Sequence, residues 1–201
     1  MNKKNFITLE GGEGSGKTTT AKVLQQELEK LDYEVIITRE PGGSPFSEKI
    51  RTLIMENDLN IEEEALLFAT ARVNHLKTVI EPALKENKIV ICDRFIDSSI
   101  VYQEYVGKCK NVKAYNQYTF DNCLPSKTFF FDIKPEQALQ RLHKNARKKN
   151  RFDQRNLAFH QQIYGSYQTL FANKANVVTI DATKSTMEIV QEIIDNLELK
   201  C

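Results

Sequence analysis

Residues 6–20 read FITLEGGEGSGKTTT, a stiff apolar run set directly against a cluster of glycines that closes on a lysine and three threonines. Gly11-x-x-x-x-Gly16-Lys17-Thr18 fits a phosphate-binding loop, a pattern that carries weight when a strand precedes it and a helix follows. FITLE (6–10) predicts the strand, and Ala21, Leu24, Leu28 and Leu31, recurring at helical spacing, predict the helix. Glycines let successive backbone N–H groups turn inward around phosphate oxygens, and the helix adds unsatisfied donors and the positive end of its dipole. Gly11, Gly12, Glu13, Gly14, Ser15, Gly16, Lys17, Thr18 and Thr19 are therefore candidate nucleotide-binding residues. Lys17 suits the β and γ phosphates, and the Thr18 hydroxyl suits magnesium.

Working outward, short β-rich runs recur at 34–39 (EVIITR), 88–93 (KIVICD), 128–133 (TFFFDI) and 176–181 (NVVTID). Their near-continuous apolar character predicts parallel strands covered on both faces by helices, a three-layer α/β domain with right-handed crossovers. At 201 residues, 41% hydrophobic and 27% charged, the chain is expected to form one domain over 1–201. A net charge of +1 argues against a nucleic-acid partner held by bulk electrostatics. Cys92, Cys109, Cys123 and Cys201 are too scattered for paired zinc ligands and read as reduced thiols. No apolar stretch is long enough for a signal or a membrane span, so a cytoplasmic protein without membrane partners is expected.

The run IVICDR carries Asp93 and Arg94 at the carboxyl end of the predicted third strand, where ligands bind in an open α/β sheet. Asp93 is placed to hold water on magnesium. The Asn-Lys pairs at 2, 87 and 173 lack the aspartate of a guanine-reading motif, so a GTPase loses ground.

Together FITLEGGEGSGKTT, TREPGG, ALLFATAR, DRFIDSSIVYQ and RFD followed by FHQQIYGSYQTL resemble thymidylate kinase, in order and over nearly the whole chain. The resemblance implies a P-loop kinase fold, a five-stranded parallel sheet of order 2-3-1-4-5, and transfer of the ATP γ-phosphate to dTMP with magnesium. It implies a thymine site of Phe68, Arg72, Ser99 and Gln103, with Arg51 and Arg94 clamping the acceptor phosphate. Glu13 would meet the 3′-hydroxyl, Tyr102 would crowd the 2′ side of the sugar, and Lys17 and Arg94 would be catalytic. Pro41 resembles a proline beside the acceptor, and a cis Glu40–Pro41 bond is possible there. Homodimers are implied too, with 61–86 a suitable helical segment.

The basic run at 141–155 corresponds to that family's lid over ATP. Some members carry an arginine in the phosphate loop where this chain has Gly14, so the lid is expected to supply it through Arg151 and Arg147, Arg151 mattering more. An arginine introduced at position 14 is expected to recover part of a lost lid charge. Asn145 stands where an adenine-packing arginine is common, which leaves the loop 181–185 as another adenine contact. Two alternatives stay open: a kinase for another small acceptor such as a deoxynucleoside, and a nucleotide-dependent switch without kinase activity.

Overall fold

Strand and helix alternate through residues 3–144 and 151–197, the parts described by the computed structural model. β1 (Phe6–Glu10) runs through the glycine loop into α1 (Lys17–Glu29), and β2 (Val35–Arg39) leads to α2 (Pro45–Glu56). α2 starts at Ser44, whose hydroxyl accepts the Ser47 N–H, with Pro45 in the first turn where no donor is missed. α3 (Ile61–His75) starts at a capping box between Asn60 and Glu63. It continues through a π-helical stretch, Leu76–Ile80, into α4 (Glu81–Lys85). Pro82 has no N–H to give and its ring crowds the preceding turn, so the helix widens there and Glu81 N–H bonds Leu76.

β3 (Ile89–Asp93) and α5 (Ile96–Ser99) lead into a second π stretch, Ile100–Val106, then α6 (Val112–Tyr115) and α7 (Gln117–Asn122). β4 (Lys127–Asp132), α8 (Pro135–Lys144), α9 (Leu157–Phe171), β5 (Val177–Asp181) and α10 (Thr186–Asn196) complete the described elements. The strands form one parallel sheet in the order β2-β3-β1-β4-β5, as expected. β1 is central, so the loop that follows it opens into the crevice beyond the carboxyl ends of β3 and β4.

Both faces of the sheet are covered, which explains why the strands read as unbroken apolar runs. Ile7 and Leu9 point to one face and join Leu24 and Leu28 of α1 and Ile189, Val190 and Ile193 of α10. Phe6, Val90 and Cys92 point to the other and meet Leu76, Ile80 and Leu84. Leu24 and Leu28 are fully buried, each worth about 1.5–3 kcal/mol. Leu31 departs from the expected helical stripe: α1 has ended by Lys30, and the side chain is 53% exposed. No described helix is long and apolar enough to cross a membrane.

Candidate active site

Gly11, Gly14 and Gly16 take φ values of +142°, +77° and +100°, which a side chain would resist, and so the loop after β1 can curl around its own interior. Lys17 Nζ lies inside the curl, donating to the carbonyls of Gly11 (2.9 Å) and Gly12 (2.8 Å) and to Ser15 Oγ (3.1 Å). Burial and the neighbouring Arg94 charge push the ammonium down to about 8. Thr18 Oγ1 donates to Asp93 Oδ2 at 2.5 Å, so the two candidate magnesium residues meet between the first turn of α1 and the end of β3. No group of three or more His, Cys, Asp or Glu among the described residues could cage a metal. A hydroxyl and one carboxylate fit magnesium, which keeps waters and takes phosphate oxygens.

Gly14 is pressed against α8: a Cβ built there runs into the carbonyl oxygen of Ala138. The expectation that an arginine at 14 would replace a lid charge is overturned, because the backbone of α8 occupies the space its first carbon needs.

Arg94 follows β3 with φ +69°, a left-handed conformation unusual for a side-chain-bearing residue. Its N–H bonds the Leu9 carbonyl at 3.0 Å, and Cys92 Sγ donates to its carbonyl at 3.0 Å. The carboxylate of Glu10, fully buried, holds the next turn: Oε1 accepts the N–H groups of Phe95 (2.8 Å) and Ser98 (3.3 Å). Oε2 accepts Ser98 Oγ (2.6 Å) and Tyr167 OH (2.8 Å). With those hydroxyl hydrogens turned to Glu10, both oxygens present lone pairs to Arg94 Nη1, each at 3.1 Å. Burial, with Asp97 adding to it, pushes Glu10 up to about 7 against the pull of Arg94.

Glu13, Arg51, Phe68, Arg94, Tyr102 and Gln103 line one cavity, together with Glu40, Pro41 and Phe152. Glu13 is held by Arg94 Nη2 (3.0 Å) and by Tyr102 OH on both its oxygens (2.9 and 2.8 Å). Burial opposes its ionisation, but the Arg94 and Lys17 charges outweigh that and hold it below the usual carboxylate range. Arg51 Nη1 donates to the Pro41 carbonyl at 2.8 Å, and the Glu40–Pro41 bond is cis. Tyr102 and Gln103 are consecutive and both reach the cavity because Ile100–Val106 is π-helical, its wider turn reducing the angular step between neighbours.

Arg72 and Ser99 are absent from that lining. Arg72, 1% exposed, is buried behind it and donates to Ser99 Oγ (2.9 Å), Asn116 Oδ1 (2.5 Å), Glu40 Oε2 (2.7 Å) and the Phe95 carbonyl (3.3 Å). Glu40 Oε1 pairs with His75 Nδ1 at 3.0 Å, and His75 Nε2 meets Thr38 Oγ1 at 2.6 Å. Glu10, Glu40, His75, Asn116 and Tyr167 were not picked out from sequence. The signal available for Glu10 was a carboxylate closing an otherwise apolar strand.

Arg147 and Asn145 lie outside the described residues. Arg151 is described, and its guanidinium is not at the phosphate loop: it forms an ion pair with Glu64 of α3 and stacks over Phe152 at 4.8 Å. Its expected precedence over Arg147 at the transferred phosphate loses its support. Arg141 of α8 donates to the Ala182 carbonyl (2.8 Å), fixing that helix to the loop 181–185.

The family described as thymidylate kinase matches residues 9–193. A thymidylate kinase of Shouchella clausii (strain KSM-K16) is 42% identical over 205 residues, spanning 98% of this chain and 96% of that protein. A thymidylate kinase of Oceanobacillus iheyensis is 42% identical over 207 residues, spanning 96% of this chain and 92% of that protein.

Proposed function

The chain belongs to the thymidylate kinase family and phosphorylates dTMP, and from that premise we propose how its residues do so with ATP and magnesium. It works as one P-loop kinase unit over 1–201, with a lid at about 141–155. The observation that carries the reading is the convergence, on one cavity beside the phosphate loop, of two guanidinium groups, an aromatic ring and an amide. Arg51 and Arg94 suit a dianionic phosphate, which a deoxynucleoside lacks. Phe68 suits the face of a pyrimidine, Gln103 its edge, and Glu13 with Tyr102 the sugar. Arg72 and Ser99 act from behind, by holding Glu40 and the Phe95 turn in place.

The phosphate loop, with Gly11, Gly12, Glu13, Gly14, Ser15, Gly16 and Thr19 around Lys17, cradles the ATP phosphates. Lys17 exchanges the loop carbonyls for phosphate oxygens when ATP binds. Magnesium, when bound through Thr18 and by water on Asp93, neutralises donor charge. An oxygen of the acceptor phosphate attacks the γ-phosphorus in line while Arg94, anchored through Ser98 and Tyr167, keeps acceptor and donor aligned. No covalent intermediate with the protein is needed.

A homodimer belongs to the same reading. Phe46 and Leu53 of α2 and Leu66 of α3 are 48%, 52% and 46% exposed, an apolar face that a second copy would cover. The test of function is ADP release across nucleoside monophosphates and thymidine. dTMP is expected to be the best acceptor, and a preference for AMP, CMP, GMP or unphosphorylated thymidine would overturn the assignment.

A further inference from the structure

We propose that Glu64 determines which way round the Gln103 amide sits, and thereby makes the acceptor site select a pyrimidine with an N–H at its 3 position. The inference rests on Gln103 facing the acceptor base, as proposed above.

Gln103 is 1% exposed and part of the cavity wall. Its Nε2 donates to Glu64 Oε1 at 2.8 Å, while its Oε1 is buried without a hydrogen-bond partner. The other oxygen of Glu64 is ion-paired with Arg151, whose Nη1 also reaches the Asn57 carbonyl at 3.5 Å. A carboxylate paired to a guanidinium has no proton to give, so only the amide nitrogen can face it. Reversing the amide would set a carbonyl oxygen against a carboxylate oxygen in a buried site. One orientation is thus fixed, and its remaining polar atom is an acceptor.

A buried acceptor discriminates by what is left unpaired. Thymine and uracil carry a hydrogen on N3 and satisfy it, whereas cytosine carries a lone pair there and would oppose it. Sites built to hydrogen-bond one group reject analogues lacking it far more strongly than apolar pockets reject a missing methylene. Arg151 has a part at the base end of the site, because its ion pair occupies the Glu64 oxygen that Gln103 does not use.

The test compares dTMP with the monophosphate of 5-methyl-2′-deoxycytidine, which keeps the methyl and sugar and changes only the 3,4 edge of the ring. The wild-type enzyme should prefer dTMP by a factor on the order of 10³ or more in kcat/KM. Glu64→Gln presents an amide that can donate or accept, so the Gln103 amide can turn. The preference should fall at least about tenfold, with the dTMP loss carried in KM and KM for ATP unchanged. Glu64→Ala, which removes the partner outright, should move the ratio the same way. An unchanged ratio in either soluble variant, with both substrates losing equally, overturns the role of Glu64. A wild-type enzyme that fails to turn over dTMP would instead sink the acceptor assignment on which the proposal rests.

Discussion

Glu10 shows how one buried carboxylate can organise a site it does not enter. It fixes two N–H groups after Arg94 and turns the Ser98 and Tyr167 hydroxyls so that both accept from the guanidinium. Its folded value of about 7 lies above the ordinary 4.5 because burial, and then Asp97, disfavour the charge. Between those values the folded protein keeps a proton that the unfolded chain has released. The contribution of Glu10 to stability is therefore full below about 4.5 and lost as pH rises through about 7. The loss is on the order of 3 kcal/mol. Thermal midpoints recorded from pH 4.5 to 8 should show this decline in the wild-type protein and a flatter curve in Glu10→Gln, and parallel curves would count against it. In the variant an NH₂ group faces the hydroxyls, their hydrogens turn towards Arg94, and kcat should drop about 10–100-fold as the guanidinium is displaced.

Helices and loops are joined at the acceptor site by side chains that look superficial in sequence. Arg72 of α3 ties the cis-prolyl loop through Glu40, α6 through Asn116, and the turn after β3 through Phe95 and Ser99. The resemblance to thymidylate kinase implied a base contact for Arg72, and a sequence does not say how deep such a side chain lies. Arg72→Ala leaves the buried Glu40 with His75 as its remaining partner and breaks a buried ion pair, and should cost about 3–5 kcal/mol. For a chain of this size that lowers the melting temperature by roughly 10 °C, readable by calorimetry. A change of a degree or two, with dTMP affinity alone reduced, would restore the contact role. The lid arginines should separate kinetically: Arg147→Ala lowers kcat by a factor on the order of 10³ with little change in KM for dTMP. Arg151→Ala, freeing Glu64, raises KM for dTMP more than it lowers kcat. The reverse pattern in steady-state kinetics would return Arg151 to the transferred phosphate.

At the scale of the molecule, the strands were legible because burial on both faces leaves an apolar signature, whereas their order, with β1 central, came from the resemblance to thymidylate kinase. The buried polar web of Thr38, Glu40, Arg72 and His75 was not legible, since composition marks such residues as surface until tertiary contacts pair them. The exposed apolar face of α2 and α3 bears on the proposed assembly: light scattering should find a dimer for the wild-type protein and a monomer when both Leu53 and Leu66 are replaced by Glu, and a wild-type monomer would overturn the proposal. Retention of a dimer would place the contact elsewhere. The closeness of Gly14 to Ala138 has a consequence for descent. Any side chain placed at position 14 meets the Ala138 carbonyl, so the position is sterically closed until α8 has moved away. A lineage that keeps this packing of α8 has only glycine open to it at position 14, and change there must begin in the neighbouring helix.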